Sequence, residues 1–600
     1  MKDLKFIVVV VLLFAVNTHA LGGELITNID HRSTVSLNGK WHIIIDPQEA
    51  GYYDYRYKVN KYGYFKNAKP KDKTSLVEYD FDKSGTLDVP GDWNSQKEKL
   101  LFYEGTIWYK KSFDYERKPG MRVFVYFGAA NYHSIVYLNG QKLGEHVGGY
   151  TPFNFEITRF VREKDNFLIV KVDNRRRRDG VPALNFDWWN YGGLTRRVEL
   201  VEVPQTFIRD YFIQLKTGSL DTVAGWVQLD GEQAEQAITV EIPEANVRRT
   251  FKTDTSGYAE IEFDAKLQLW STQEPKLYKV NIKSDTDNLV DTVGFRSIET
   301  RGTKILLNGK PIFLRGVCIH EQAPKGNERA YSREHSETLL GWAKEMNCNF
   351  VRLAHYPHNE YMIRTAEERG ILVWSEIPVY WTINWESKAA LDNALNQLTE
   401  MITRDKNRAA VILWSVANET PVSEVRNEFL IKLSERMKSL DPTRLATAAM
   451  EKDYRDSTTP IITDPFGKYV DVLGCNEYVG WYEKLPDRCD SYRWEVAYNK
   501  PVIFSEFGGG ALAGFHADKY TRWSEEYQEY LYQKQIQMLE KIPFAAGTTP
   551  WILNDFMSPR RPLVRIQDFW NRKGLISDKG EKKRAFYVMQ RFYEKLKKSE

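Results

Sequence analysis

Between residue 30 and about residue 203 the chain alternates short apolar runs with turn residues. Leu37-Asn38-Gly39-Lys40-Trp41 is a turn feeding an aromatic strand, residues 123–127 and 134–138 are compact apolar runs, and Asn139-Gly140 is a hairpin dipeptide. No helical period competes with this pattern, which predicts a β-sandwich or jelly roll. Residues 204–300 repeat the signature on a smaller scale, with candidate strands at 223–229, 237–242, 259–263 and 277–282. That length and spacing suit an immunoglobulin-like sandwich. After Gly302 the pattern changes. Apolar runs at 349–353, 371–374, 411–414, 470–475, 502–507 and 549–553 now alternate with helical stretches such as 336–346 and 361–369. Repeated strand–helix units over a segment of this size predict a (β/α)8 barrel. A doubly wound sheet is the alternative, weakened because no glycine-rich dinucleotide fingerprint follows any of these strands.

The first twenty residues follow another rule. Lys2 and Lys5 flank an apolar run over 6–16, and Thr18-His19-Ala20 presents small residues where a signal peptidase reads. The run is short for a bilayer span, so it predicts a cleaved signal peptide and export to a periplasm or the medium, with no membrane attachment afterwards. The expected division is a signal peptide over 1–20, a jelly-roll domain over 21–203, an immunoglobulin-like sandwich over 204–300 and a barrel over 301–600.

Composition narrows the function. The 84 basic and 81 acidic residues leave a net charge of +3, so no whole-surface field draws nucleic acid or anionic lipid. The basic run Arg175-Arg176-Arg177-Arg178 is isolated and flanked by Asp173 and Asp179. Aromatic residues reach 14%, with 17 Trp and 34 Tyr, which serves either sugar stacking or large aromatic cores. Four cysteines in 600 residues make no disulfide scaffold and match no zinc spacing. Three of them, Cys318, Cys348 and Cys475, read as buried thiols, and a single Cys475–Cys489 bridge stays open. No cofactor or metal is implied.

In barrels of this kind, reactive residues sit at the carboxyl ends of the strands. The run over 411–414 is followed by Ser415-Val416-Ala417-Asn418-Glu419, and the run beginning at Val502 leads into Ser505-Glu506-Phe507-Gly508. Two glutamates therefore end two separate strands and face one mouth. A carboxylate pair is what glycosidic hydrolysis needs, one protonating the leaving oxygen and the other attacking the sugar or activating water. Asn418, beside Glu419, is placed to bond a sugar hydroxyl.

Trp414-Ser415-Val416-Ala417-Asn418-Glu419 resembles the acid/base signature of glycoside hydrolase family 2, and Phe504-Ser505-Glu506-Phe507-Gly508 its nucleophile signature. Val351-Arg352-Leu353-Ala354-His355-Tyr356-Pro357, Asp441-Pro442-Thr443-Arg444 and Asn476-Glu477-Tyr478 resemble further barrel motifs of the family. Tyr103-Glu104-Gly105-Thr106-Ile107-Trp108-Tyr109 and Val136-Tyr137-Leu138-Asn139-Gly140 resemble its sugar-binding-type N-terminal domain. The resemblance implies a retaining mechanism, with Glu506 as nucleophile and Glu419 as acid/base. It implies that Tyr478 orients the nucleophile and that Arg352 holds it ionised. His320, His355, Asn476 and Trp551 join Arg352, Asn418 and Tyr478 as candidate substrate-binding residues.

The choice of sugar turns on Asn571-Arg572-Lys573-Gly574, which resembles the Asn-x-Lys pair with which β-glucuronidases of the family hold a substrate carboxylate. An amide and an ammonium bind a carboxylate better than a neutral hydroxymethyl group. Asp187, in Phe186-Asp187-Trp188-Trp189-Asn190-Tyr191, matches an N-domain aspartate that reaches the sugar hydroxyls. Arg560 and Arg561 in Ser558-Pro559-Arg560-Arg561-Pro562 depart from the pattern; they either read an anionic group or form a solvated loop. The expectation is an exo-acting β-glucuronidase on oligosaccharides of an acidic polysaccharide. A β-galactosidase acting on neutral or sulfated galactans and a catalytically silent carbohydrate-binding protein are the rivals. Homo-oligomer formation stays open.

Overall fold

The computed structural model describes residues 24–599. The expected signal peptide over 1–20 lies outside them. Two antiparallel sheets form the first unit. One runs Ser33–Ser36, Val198–Pro204, Met121–Phe127, Phe153–Glu156; the other runs Thr86–Val89, Gly39–Ile45, Thr106–Phe113, Asn166–Asp173, His133–Leu138, Gln141–Val147. Trp41, Tyr109, Val125 and Val170 are among the side chains that fill the space between them. A smaller sandwich follows, with Phe207–Leu215, Thr222–Asp230 and Tyr258–Asp264 facing a sheet of Val247–Lys252, Ala237–Ile242, Tyr278–Lys283 and Asn288–Val293. Strand Tyr258–Asp264 shows why the alternation was readable, since its residues are buried and exposed by turns.

The third unit is an eight-stranded parallel barrel. Its first strand is broken at Gly316-Val317. Leu314–Arg315 pairs with Ala545–Thr548, whereas Cys318–Ile319 pairs with Phe350–Leu353, so the one broken strand closes the ring. Leu372–Glu376, Val411–Asn418, Leu445–Met450, Val472–Asn476 and Val502–Glu506 complete it in order. Every residue of Val411–Asn418 and Val502–Glu506 is buried, because helices cover the outside and side chains fill the inside. Helices Arg333–Glu345, Glu360–Glu368, Lys388–Asp405, Glu424–Leu440 and Glu525–Leu539 each begin at a Ser or Asn whose side chain accepts a backbone N–H of the first turn.

Two expectations need correction. The eighth strand is Ala545–Thr548, not residues 549–553. Ala-Ala-Gly-Thr carries almost no hydrophobic signal, while the apolar Trp551-Ile552-Leu553 that follows belongs to the barrel mouth and bonds the backbone of Lys573 and Cys318. The strand–helix repeat also lapses. Short 3-10 segments, Pro465–Lys468 and Pro486–Ser491, stand where helices were expected after the fifth and sixth strands. All four cysteines are buried free thiols, so Cys475 and Cys489 are not paired. Among the described residues no helix is long and apolar enough to cross a membrane.

Candidate active site

Three of the barrel strands deliver a glutamate to the same end. Leu372–Glu376 and Val502–Glu506 close on Glu376 and Glu506, and Val411–Asn418 is followed directly by Glu419. Glu419 has a φ of 48°, a left-handed conformation that takes the chain abruptly out of the strand.

Glu506 is held at both oxygens. Its Oε1 accepts from Arg352 Nη1 at 2.9 Å and its Oε2 from the Tyr478 hydroxyl at 2.7 Å. Arg352 also donates to Glu376, to Asn418 Oδ1 at 2.6 Å and to the Ser505 carbonyl at 3.0 Å. Glu376 further accepts from the Trp374 indole at 2.7 Å and lies 2.8 Å from His355 Nδ1. Burial pushes the Glu506 carboxyl up to about 8; Arg352 and the Tyr478 hydroxyl pull it down, while the charges of Glu419 and Glu376 add to the rise.

Glu419 accepts from the Trp381 indole N–H and from Asn476 Nδ2, both at 2.9 Å. Ser505 donates to Asn476 Oδ1 at 2.8 Å, which fixes the amide so that its NH2 faces Glu419. The Asn418 oxygen is taken by Arg352, and its Nδ2 is buried with no partner among the described residues. That orphan donor suits a substrate hydroxyl, since a buried unpaired amide is costly to leave empty.

Both glutamates open on a cavity of about 420 Å³ that Asp187, Tyr380, Trp381, Glu451, Lys452, Asn476, Tyr478, Tyr482, Glu483, Trp551, Arg560, Arg561 and Lys573 also line. Its volume suits a small-molecule site. Asp187 comes from the N-terminal sandwich and accepts from Ser558, Arg561 and Asn571 of the barrel. Lys573 donates to the Tyr482 hydroxyl at 2.6 Å and lies over the rings of Tyr478 and Tyr482. Burial would raise the Tyr482 phenol, but the cations of Lys573 and Arg561 outweigh it and bring it below its ordinary value.

Residues 34–204 match the model of the glycosyl hydrolases family 2 sugar-binding domain, and residues 298–598 match that of the family's TIM barrel domain. The chain belongs to glycoside hydrolase family 2. It is 28% identical to a putative beta-glucuronidase of Formosa agariphila, over 85% of this chain and 67% of that protein. It is 29% identical to a beta-glucuronidase of Sus scrofa, over 85% of each. The structure of a Bifidobacterium dentium beta-glucuronidase complexed with coumarin-3-O-glucuronide superposes with a TM-score of 0.82 at 25% identity, covering 96% of this chain and 98% of that one.

Within this family 2 site the expected residues divide into two layers. Glu419, Glu506, Asp187, Asn476, Tyr478, Trp551 and Lys573 line the cavity. Arg352, His320, His355, Asn418 and Asn571 are buried around or beneath it. Arg352 was expected among the residues that touch substrate; every nitrogen of its guanidinium is instead committed to protein oxygens, so it positions Glu506 and Asn418. Its charge pulls the Glu506 carboxyl down against the rise that burial causes, and it is shared with Glu376. His355 stacks on Trp551 at 4.8 Å, and its Nε2 lies 3.5 Å from Glu506. His320 contacts Tyr356 through Nδ1 and leaves Nε2 unpartnered. Asn571 was expected to share a carboxylate with Lys573; its amide faces Asp187 at 3.4 Å and its oxygen accepts the Lys573 backbone N–H.

Glu376, Tyr380, Trp381, Glu451 and Tyr482 were not anticipated. Glu376 carried a usable signal, a strand-terminal glutamate like the other two. Trp381 and Tyr482 carried none, because they sit in irregular segments whose paths local sequence does not fix. Among the described residues no cluster of three or more His, Cys, Asp or Glu is arranged to hold a metal ion.

Proposed function

We propose that this family 2 hydrolase is an exported, retaining, exo-acting β-glucuronidase that releases non-reducing terminal β-linked glucuronic acid from oligosaccharides of an acidic polysaccharide. One observation carries the choice of sugar. Lys573 brings an ammonium to the cavity wall, its hydrogen bond goes to a phenol, and no carboxylate among the described residues pairs with it. An uncompensated cation in a small cavity favours a substrate that brings its own carboxylate. The beta-glucuronidase names of the relatives support the same reading.

In this mechanism one oxygen of Glu506 attacks the anomeric carbon as the glycosidic C–O bond breaks, and Glu419 gives its proton to the departing oxygen. Water then loses a proton to Glu419 and attacks the same carbon, releasing Glu506. The reaction needs the proton on Glu419 and the charge on Glu506, the form that Arg352 and Tyr478 favour. Asn418 offers its free amide to a sugar hydroxyl, and Asp187 brings the N-terminal sandwich into the sugar's enclosure.

The test is a paired assay of chromogenic β-D-glucuronide against β-D-galactoside, with Glu506→Ala as the blank. A strong glucuronide preference that vanishes in the blank supports the proposal. A galactoside preference leaves the two glutamates standing and overturns the role of Lys573. A parallel β-D-galacturonide arm reads the C4 configuration. Release of free glucuronic acid from oligosaccharide ends, with no internal cleavage, tests the exo assignment.

A further inference from the structure

Four cations line the cavity, and their surroundings separate them. Arg561 is ion-paired with Asp187, and Lys452 lies 3.8 Å from Glu483. Lys573 sits over Tyr478 and Tyr482 at the end assigned to the uronate. Arg560 is different. Its side chain donates to the Asn185 side-chain oxygen, and its guanidinium lies 5.0 Å over the ring of Trp381. No carboxylate among the described residues is within 4.0 Å of it. Arg560 is exposed, and its remaining N–H groups have no protein partner among the described residues; a guanidinium fork matches the oxygens of a carboxylate or sulfate.

The position of Trp381 sets which end of the substrate Arg560 meets. The Trp381 indole N–H bonds Glu419, the acid that serves the leaving oxygen in the proposed mechanism, so Trp381 borders the leaving group and Arg560, over its ring, stands next to that side. Glu451 also lines the cavity, with no ion-pair partner among the described residues, and its charge discourages an anion beside it. We infer that Arg560 forms a subsite for an anionic oxyacid group, a sulfate ester or a carboxylate, on the sugar that departs. The inference rests on the β-glucuronidase reading and adds the class of leaving group to it.

The experiment measures kcat/KM for three disaccharides that share a non-reducing β-glucuronosyl unit. Their second sugar is neutral, sulfated or a uronic acid. Each is assayed with the wild type, Arg560→Ala and Arg560→Lys. The readout is the anionic-to-neutral ratio within one protein, so a general defect of a variant cancels. The expected ratio is about 5 to 10 in the wild type for at least one anion, near or below about 1 in Arg560→Ala, and intermediate in Arg560→Lys. Raising the salt to about 0.5 M shrinks the wild-type ratio. Whichever anion shows the effect identifies the group. A wild-type ratio near one for both anions, or a ratio that survives Arg560→Ala, overturns the subsite while hydrolysis of an aryl β-glucuronide leaves the parent reading intact. Failure to hydrolyse any β-glucuronide overturns both.

Discussion

Glu506 is pulled in two directions, by a burial that favours its neutral form and by Arg352 and Tyr478, which favour its charge. The balance leaves the carboxyl raised from 4.5 to about 8. The folded state therefore keeps a proton there between about pH 4.5 and about pH 8 that the unfolded chain has already lost. Linkage makes the wild type lose stability as pH rises through that window, by up to about 1.4 kcal/mol per pH unit. Glu506→Gln does not titrate, so its melting temperature should gain on the wild type between about pH 5 and about pH 8. A constant gap would contradict the raised carboxyl. Lys573 gives a second prediction at this scale. Lys573→Ala should cut kcat/KM for an aryl β-glucuronide by about 100-fold or more and leave the weak turnover of an aryl β-galactoside nearly unchanged, because only the uronide loses a charge partner. Equal losses on the two substrates would remove Lys573 from sugar selection.

At the scale of elements, the strands of the barrel supply the glutamates and the connecting segments tune them. Trp381 lies between Leu372–Glu376 and Lys388–Asp405, yet its N–H reaches Glu419. Trp381→Phe keeps a ring and removes that donor. It should slow substrates with poor leaving groups about tenfold more than activated aryl glycosides, since only the former depend on proton transfer by Glu419. Leaving-group dependence of kcat/KM reads this directly; an unchanged dependence would show that the bond to Glu419 is idle. The elements also mark the limit of what the sequence discloses. Strands Val411–Asn418 and Val502–Glu506 were visible as apolar runs because both their faces are buried. Leu445–Met450 and Ala545–Thr548 were not, because their small residues pack tightly without a hydrophobic signal. The two strand-end glutamates followed from the visible runs. Trp381, Tyr482 and the Arg560 environment did not, because contacts made by irregular segments depend on where the whole fold carries them.

For the molecule as a whole, the cavity depends on the seam between the N-terminal sandwich and the barrel. Asp187 crosses it to meet Arg561 and Ser558, and Glu321 is buried in the same seam between Arg196 of the sandwich and Arg329 of the barrel. Burial would raise the Glu321 carboxyl, but the two guanidinium groups hold it down at about 2. Its contribution to stability is thus present above about pH 4.5 and lost as pH falls towards about 2. Glu321→Gln leaves two buried arginines short of a counterion and should cost about 3–5 kcal/mol at neutral pH. Denaturant unfolding should show that cost diminishing below about pH 4. A cost independent of pH would point to packing rather than charge.

The sequence by itself determined the all-β to strand–helix progression, the resemblance to family 2 and the two strand-end glutamates, because burial on both faces and residue order along a strand are local properties. Tertiary structure decided what those residues do to one another. It made Arg352 a positioning group, turned Asn571 towards Asp187, added Glu376 and Trp381 to the site, and left Lys573 and Arg560 without carboxylate partners among the described residues. Charge balance, desolvation and hydrogen-bond direction belong to groups far apart in the chain, and they exist only once the barrel has closed and the sandwich has docked against it.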